Sequence, residues 1–120
     1  MSHVKGDIVW VTQENRDRTK LKHPAIIWEY TDDDSTFVGI MITHSKPKER
    51  YCNILMSEEH FIEGHEVKYS DTYFVNQLFN KYQTWGPFYK AGRLTEKGIV
   101  FIHEHLIHAP PLNFDDYIRV

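Results

Sequence analysis

A single cysteine, Cys52, in 120 residues has no partner for an intrachain disulfide. Nothing therefore calls for an oxidising compartment, and the cytoplasm is the expected setting. No apolar run approaches the ~20 residues of a membrane helix. The opening MSHVKGD lacks the apolar stretch of a secretory signal. There is no glycine-rich phosphate loop and no serine nucleophile elbow. No glutamate-flanked pair of histidines marks a zinc helix, and no second cysteine is present, so neither a metal nor a cofactor is expected. Charge of one sign is missing too. The net charge of −3 speaks against a nucleic-acid binder that uses its whole surface.

What the chain does hold is apolar and patterned. Hydrophobic residues make up 41% and aromatics 14%, enough for a core, and the length fits one domain spanning 1–120. Residues 8–12 read as a first strand, entered through Gly6-Asp7. Polar residues 13–23 follow as a long connection. Pro24 opens a second strand over 25–30, since proline is tolerated at a strand's first position. The Asp32-Asp33-Asp34-Ser35 run is a turn. The near-continuous apolar run 36–43 is a third strand, paired antiparallel with the second and buried on both faces. Further strands are expected over 51–56, 67–69 and 72–78. Trp85-Gly86-Pro87-Phe88-Tyr89 reads as a turn between aromatics.

Residues 94–107 carry the helix pattern, with Thr95 as N-cap and Ile99, Ile102 and Leu106 on one stripe. Gly98 weakens that helix by about 1 kcal/mol relative to alanine, and Pro110-Pro111 stops it. Short strands with turn signals favour a small, curved β-barrel plus one C-terminal helix.

Half of the 14 basic residues fall in two loops. Arg16, Arg18, Lys20 and Lys22 lie in one, and Lys46, Lys48 and Arg50 in the other. Glu58, Glu59, Glu63 and Glu66 gather elsewhere, so one face can be basic on a mildly acidic protein. His23, Thr43, His44 and Ser45, with Arg18, Lys20 and Lys22 beside them, are the residue types that metal-free RNA cleavage requires. The attacking 2′-hydroxyl must lose a proton and the leaving 5′-oxygen must gain one, and histidine serves either role near neutral pH. Lysine and arginine offset the growing phosphorane charge, and hydroxyls orient it. Taken one at a time, His23 is a loop residue before proline and Thr43-His44 a strand end. Their joint position at strand ends is what makes them candidates. Tyr82, Trp85, Phe88 and Tyr89 can stack unpaired bases, but packing or a subunit contact is the weightier expectation for such a cluster. Of the histidines, His105 and His108 can share a helix face, whereas His103 and His105 lie about 200° apart.

Several of these segments resemble the PemK/MazF family of toxin–antitoxin ribonucleases. KGDIVWV is similar to that family's first strand, and LKHPAIIWEY to its Arg-Pro-Ala segment. FVGIMITHS is similar to the third strand, which ends in threonine and small polar residues. TYFVNQLF through AGRLTEKGIVFIHEHL resembles the late strand, the Gly-basic-Leu-Ser/Thr turn and the last helix. The resemblance covers most of the chain in order.

It implies an SH3-like β-barrel of the PemK/MazF/CcdB type, usually a homodimer. It also implies an enzyme: a metal-independent endoribonuclease toxin acting on single-stranded RNA or mRNA, with a cognate antitoxin as partner. Family catalysis uses the arginine before the proline and the threonine closing the third strand, which by position are His23 and Thr43. Histidine at 23 can transfer protons but supplies no constant guanidinium, so Lys20 or Lys22 is the expected source of charge. The alternatives are a non-catalytic barrel that binds a protein or nucleic acid, and a toxin of the same fold acting on DNA gyrase.

Overall fold

The computed structural model describes residues 3–14, 17–30, 36–44, 53–62 and 71–113. Ser45, the second basic loop, Cys52, His65, the acidic turn 32–34 and the strand expected over 67–69 lie outside these residues. Among the described residues seven strands form one sheet: β1 Asp7–Glu14, β2 Lys20–Tyr30, β3 Phe37–Thr43, β4 Asn53–Leu55, β5 Tyr73–Val75, β6 Phe79–Lys81 and β7 Tyr89–Arg93. One helix, α1, spans Glu96–His105. The hydrogen-bonded order is β4-β5-β3-β2-β1-β7, and β6 pairs with β3 alongside β5. No helix among the described residues is long and apolar enough to cross a membrane.

The first three strands follow the apolar runs, but their ends do not stop where hydrophobicity stops. The expected long polar connection over 13–23 is mostly hairpin. Thr12 pairs with Lys22, Gln13 with Leu21 and Glu14 with Lys20. Alternation turns Gln13, Leu21 and His23 toward one face and Thr12, Glu14, Lys20 and Lys22 toward the other. Opposite charges at Glu14 and Lys20 suit directly opposed positions. Asp17 then closes the turn by accepting from the Thr19 N–H at 3.0 Å and the Thr19 hydroxyl at 2.6 Å.

β5 and β6 are one broken strand. β5 pairs with the C-terminal end of β3 (Ile42 with Phe74, Thr43 with Tyr73), and β6 with its N-terminal half (Phe37 with Lys81, Gly39 with Phe79). The intervening Asn76, Gln77 and Leu78 bulge out of the ladder, and the amides of the first two are buried and used. Asn76 donates to the His105 carbonyl at 2.9 Å and accepts from the Ile107 N–H at 2.8 Å. Gln77 donates to the Pro110 carbonyl at 3.1 Å. The helix therefore ends at His105 on a side-chain cap, ahead of the two prolines. Its start is the expected one: the Thr95 hydroxyl accepts from the Gly98 N–H at 3.1 Å.

The sheet is not closed, and the expected SH3-like barrel does not form. No ladder joins β4 to β7 among the described residues. The two ends meet through an isolated bridge between Phe61 and Leu94, a 3.0 Å bond from the Ile62 N–H to the Arg93 carbonyl, and bonds from Thr95 to the His60 and Glu59 carbonyls, none of which makes a ladder. Closure requires strand number, tilt and stagger to agree. Here β4 has three residues, and the chain leaves it as a 3-10 turn, Glu58–His60. Helix α1 packs against that turn and the open sheet. Ile102, Leu94, Phe61, Phe74, Ile8, Ile26, Ile40 and Ile42 share the main core.

The opposite face is covered differently. Val9, Val11, Ala25, Ile27 and Phe37 pack beneath Trp85 and Phe88. A smaller cluster joins Met41, Val75 and Phe79. The aromatic segment is thus mainly packing: Trp85 and Phe88 cover the sheet, and Tyr82 meets Trp85 edge-on at 4.9 Å. Tyr89, by contrast, is 67% exposed.

Candidate functional site

The two faces of the β1–β2 hairpin divide the expected site residues between them. On the helix-covered face, core residues Ile8 and Ile26 give way along the strands to Trp10, Thr12, Lys22 and Lys20 as the sheet runs beyond α1. Trp10 is opposed by Pro24 on β2 and by Tyr89 on β7, so the three side chains share this face. The Lys22 ammonium lies 5.3 Å from the centre of the Trp10 ring, within the reach of a cation–π contact. Thr12, Lys20, Lys22 and Arg18 are exposed. The result is a strip of two aromatic rings and neighbouring cations running toward the turn of the hairpin.

On the other face sits a buried polar cluster. His23 is 6% exposed and Lys81 is fully buried. The Lys81 Nζ donates to the Gln13 Oε1 at 3.2 Å and lies 3.1 Å from the His23 Nε2. The Phe79 and Trp85 rings stand 5.5 and 5.7 Å from the same nitrogen. The His23 Nδ1 is buried without a hydrogen bond. Burial, with the Lys81 charge in second place, drives the His23 pKa down to about 3. Burial alone lowers Lys81 to about 7. Near neutrality, therefore, His23 is a neutral acceptor, and the lysine is the member that changes charge.

Thr43 closes β3 half-buried, with Tyr73 opposite. By alternation it lies on the Met41 face, the side that also carries His23. His44 follows it, exposed, with Nδ1 3.2 Å from the Asp71 carbonyl oxygen. The structure thus brings His23 and Thr43 to one face and Lys20 and Lys22 to the other. The charge beside His23 comes from Lys81, which the sequence reading missed. Lysine is almost never fully buried, so its type argued for solvent. The available signal was its place two residues after Phe79, on the same side of a strand.

Three histidines pack against aromatic rings. His60 stacks on Phe101 at 4.2 Å, His105 tilts on Phe101 at 4.4 Å and His103 on Trp28 at 4.6 Å. No group of three possible metal ligands occurs among the described residues. An open hollow of about 480 Å³ lies over α1 and the 3-10 turn, lined by Val100, Phe101 and His60 and by the charged Glu59, Glu96, Lys97 and Glu104. Three carboxylates against one lysine, Lys97, disfavour a polyanion there.

The buried pair makes stability a function of pH. Both groups are bases whose folded pKa lies below the unfolded one, so the unfolded chain binds more protons in each window. Stability is expected to rise with pH from about 3 to 6.5 through His23 and from about 7 to 10.5 through Lys81. Urea midpoints at pH 5, 7 and 9 check this. A midpoint that falls between pH 7 and 9 contradicts the Lys81 assignment.

No family model, no curated protein and no solved structure matches this chain.

Proposed function

We propose that this protein binds single-stranded RNA along the Trp10–Tyr89–Lys22–Lys20 strip. The observation that carries the reading is the Lys22 ammonium held over the Trp10 ring, with exposed Tyr89 directly across from that ring. Unpaired bases stack on aromatic faces, and neighbouring cations track the backbone phosphates, an arrangement tolerant of sequence. Duplex nucleic acid keeps its bases paired and offers nothing to stack. The same strip suits the acidic tail of an antitoxin, the partner implied by the PemK/MazF resemblance, in a cytoplasmic setting.

Fluorescence anisotropy with a labelled single-stranded oligoribonucleotide tests the proposal. Trp10→Ala is expected to weaken binding about 5- to 150-fold, since one stacked base is worth about 1–3 kcal/mol. Lys22→Ala is expected to reduce the salt slope of the binding constant by about 0.7. Equal affinity for wild type and both variants would remove the strip from the interaction.

A second reading is metal-independent cleavage of that RNA by a toxin of the PemK/MazF kind. It is favoured by His23 and Thr43 sharing one face, with Lys81 beside the imidazole. His23 has no route to a phosphodiester while β6 covers it, so cleavage demands that β6 move. RNA cut by wild type in EDTA, and left intact by His23→Ala at undiminished binding, would establish this reading. Binding without cleavage leaves the first reading alone.

A further inference from the structure

β6 is a short strand fastened by two buried side chains, Phe79 in the cluster with Met41 and Val75, and Lys81. It is three residues long, with β3 on one side and a single bridge to Leu112 on the other. Lys81 reaches from it across the sheet to Gln13 on β1 and His23 on β2, and is fully enclosed there. No carboxylate among the described residues approaches within ion-pair distance of its ammonium. On β1, Glu14 turns to the opposite face with Lys20. On β2, Lys22 also faces away, His23 turns toward Lys81, and the phenol of Tyr30 lies on the same face beyond Phe37. β3 offers Phe37, and the 3-10 turn Gln83–Trp85 offers Trp85. A charge enclosed without a counter-ion is costly, and exposure to water removes that cost.

We propose that Gln13, His23 and Lys81 form a proton-coupled clasp that fastens β6 and the following aromatic turn to the β1–β2 hairpin and opens with uptake of a proton. Two windows follow. Above about pH 7 the closed clasp holds a neutral amine, and opening lets Lys81 bind a proton in water. Between about pH 6.5 and 3 the closed clasp holds a neutral imidazole, and opening lets His23 bind one. Opening becomes up to tenfold more favourable for each pH unit lowered within either window. It lifts Trp85 and Phe88 from Val9, Val11 and Ile27, and it brings His23 to solvent, the state the cleavage reading requires. The clasp does not depend on what the opposite face binds.

Native-state amide exchange, corrected for the intrinsic pH dependence of the chemistry, tests this at pH 9, 8, 6.5 and 5. Protection at Asn80, Lys81 and Trp85 is expected to fall severalfold to tenfold from pH 9 to 8, and again about tenfold or more from 6.5 to 5. It should stay at least tenfold below that of Ile26 and Ile40 throughout. Lys81→Met is expected to abolish the upper fall and keep the lower one, and His23→Leu the reverse. If Lys81→Met fails to fold, the upper window is read instead from the titration of the Lys81 side chain by NMR, expected near pH 7. The clasp is overturned by β6 protection that ignores pH, by β6 amides exchanging at the rate of the central strands, or by a lysine titrating near its ordinary value.

Discussion

Phe74→Ala is expected to cost about 3–5 kcal/mol, the range for deleting an enclosed aromatic, a large share of a small domain's total stability. Phe74 is fully buried. It stands opposite Ile42 on β3 and Ile54 on β4 and meets the α1 residue Phe101 edge-on at 6.1 Å. Three separate elements line the space it fills. None can move into the void without leaving its own partners, so the cavity persists. Denaturant melts check the loss, with Tyr89→Ala as a control because that ring is 67% exposed. The control is expected to stay within about 0.5 kcal/mol of wild type. Equal losses in both variants would mean that Phe74 does not organise the main core.

Gly98→Ala is expected to destabilise, although alanine is the better helix former by about 1 kcal/mol. A Cβ at position 98 would lie 2.5 Å from the His60 carbonyl oxygen, which is backbone and has no rotamer to yield. That carbonyl also accepts from the Thr95 N–H at 2.9 Å, and the Thr95 hydroxyl donates to the Glu59 carbonyl at 2.7 Å. Relieving the clash therefore pulls the 3-10 turn away from the helix N-terminus and strains the cap. Overpacking costs about 1–3 kcal/mol, with the cap's bonds at risk as well, so a net loss of about 2 kcal/mol is the expected sign and size. Thermal melts of the single variant decide it. A raised Tm would show that helix propensity prevails and that the turn gives way.

Gly98 illustrates how far local reasoning reaches. As a residue it counts against the helix, and the helix forms there because the glycine lets another segment approach. Thr95 needed no such context. A hydroxyl followed by a helical apolar stripe predicts its own cap, and the cap is found. The β1, β2 and β3 runs were legible for the same reason, since their β-branched residues fit a pleated sheet wherever it lies. β6 and β7 were not. Phe79–Lys81 is too short for its alternation to stand out, and Tyr89–Arg93 follows a turn whose aromatics hid the strand start. Among the expected site residues, Thr43, His44, Lys20 and Lys22 lie at strand ends or on exposed positions. His23 is the one whose setting could not be foreseen.

What the sequence by itself determined is local: three apolar strands, a capped helix, and a cation-rich polar segment between the first two strands. Each follows from side-chain periodicity and hydrogen-bonding capacity, which act over a few residues. Only the tertiary structure decided that the sheet stays open, that Lys81 from a distant strand lies beside His23, and that His23 is enclosed while Lys22 reaches water. Those outcomes turn on burial and strand pairing between distant segments, as where Lys81 meets His23 and Gln13, 58 and 68 positions away.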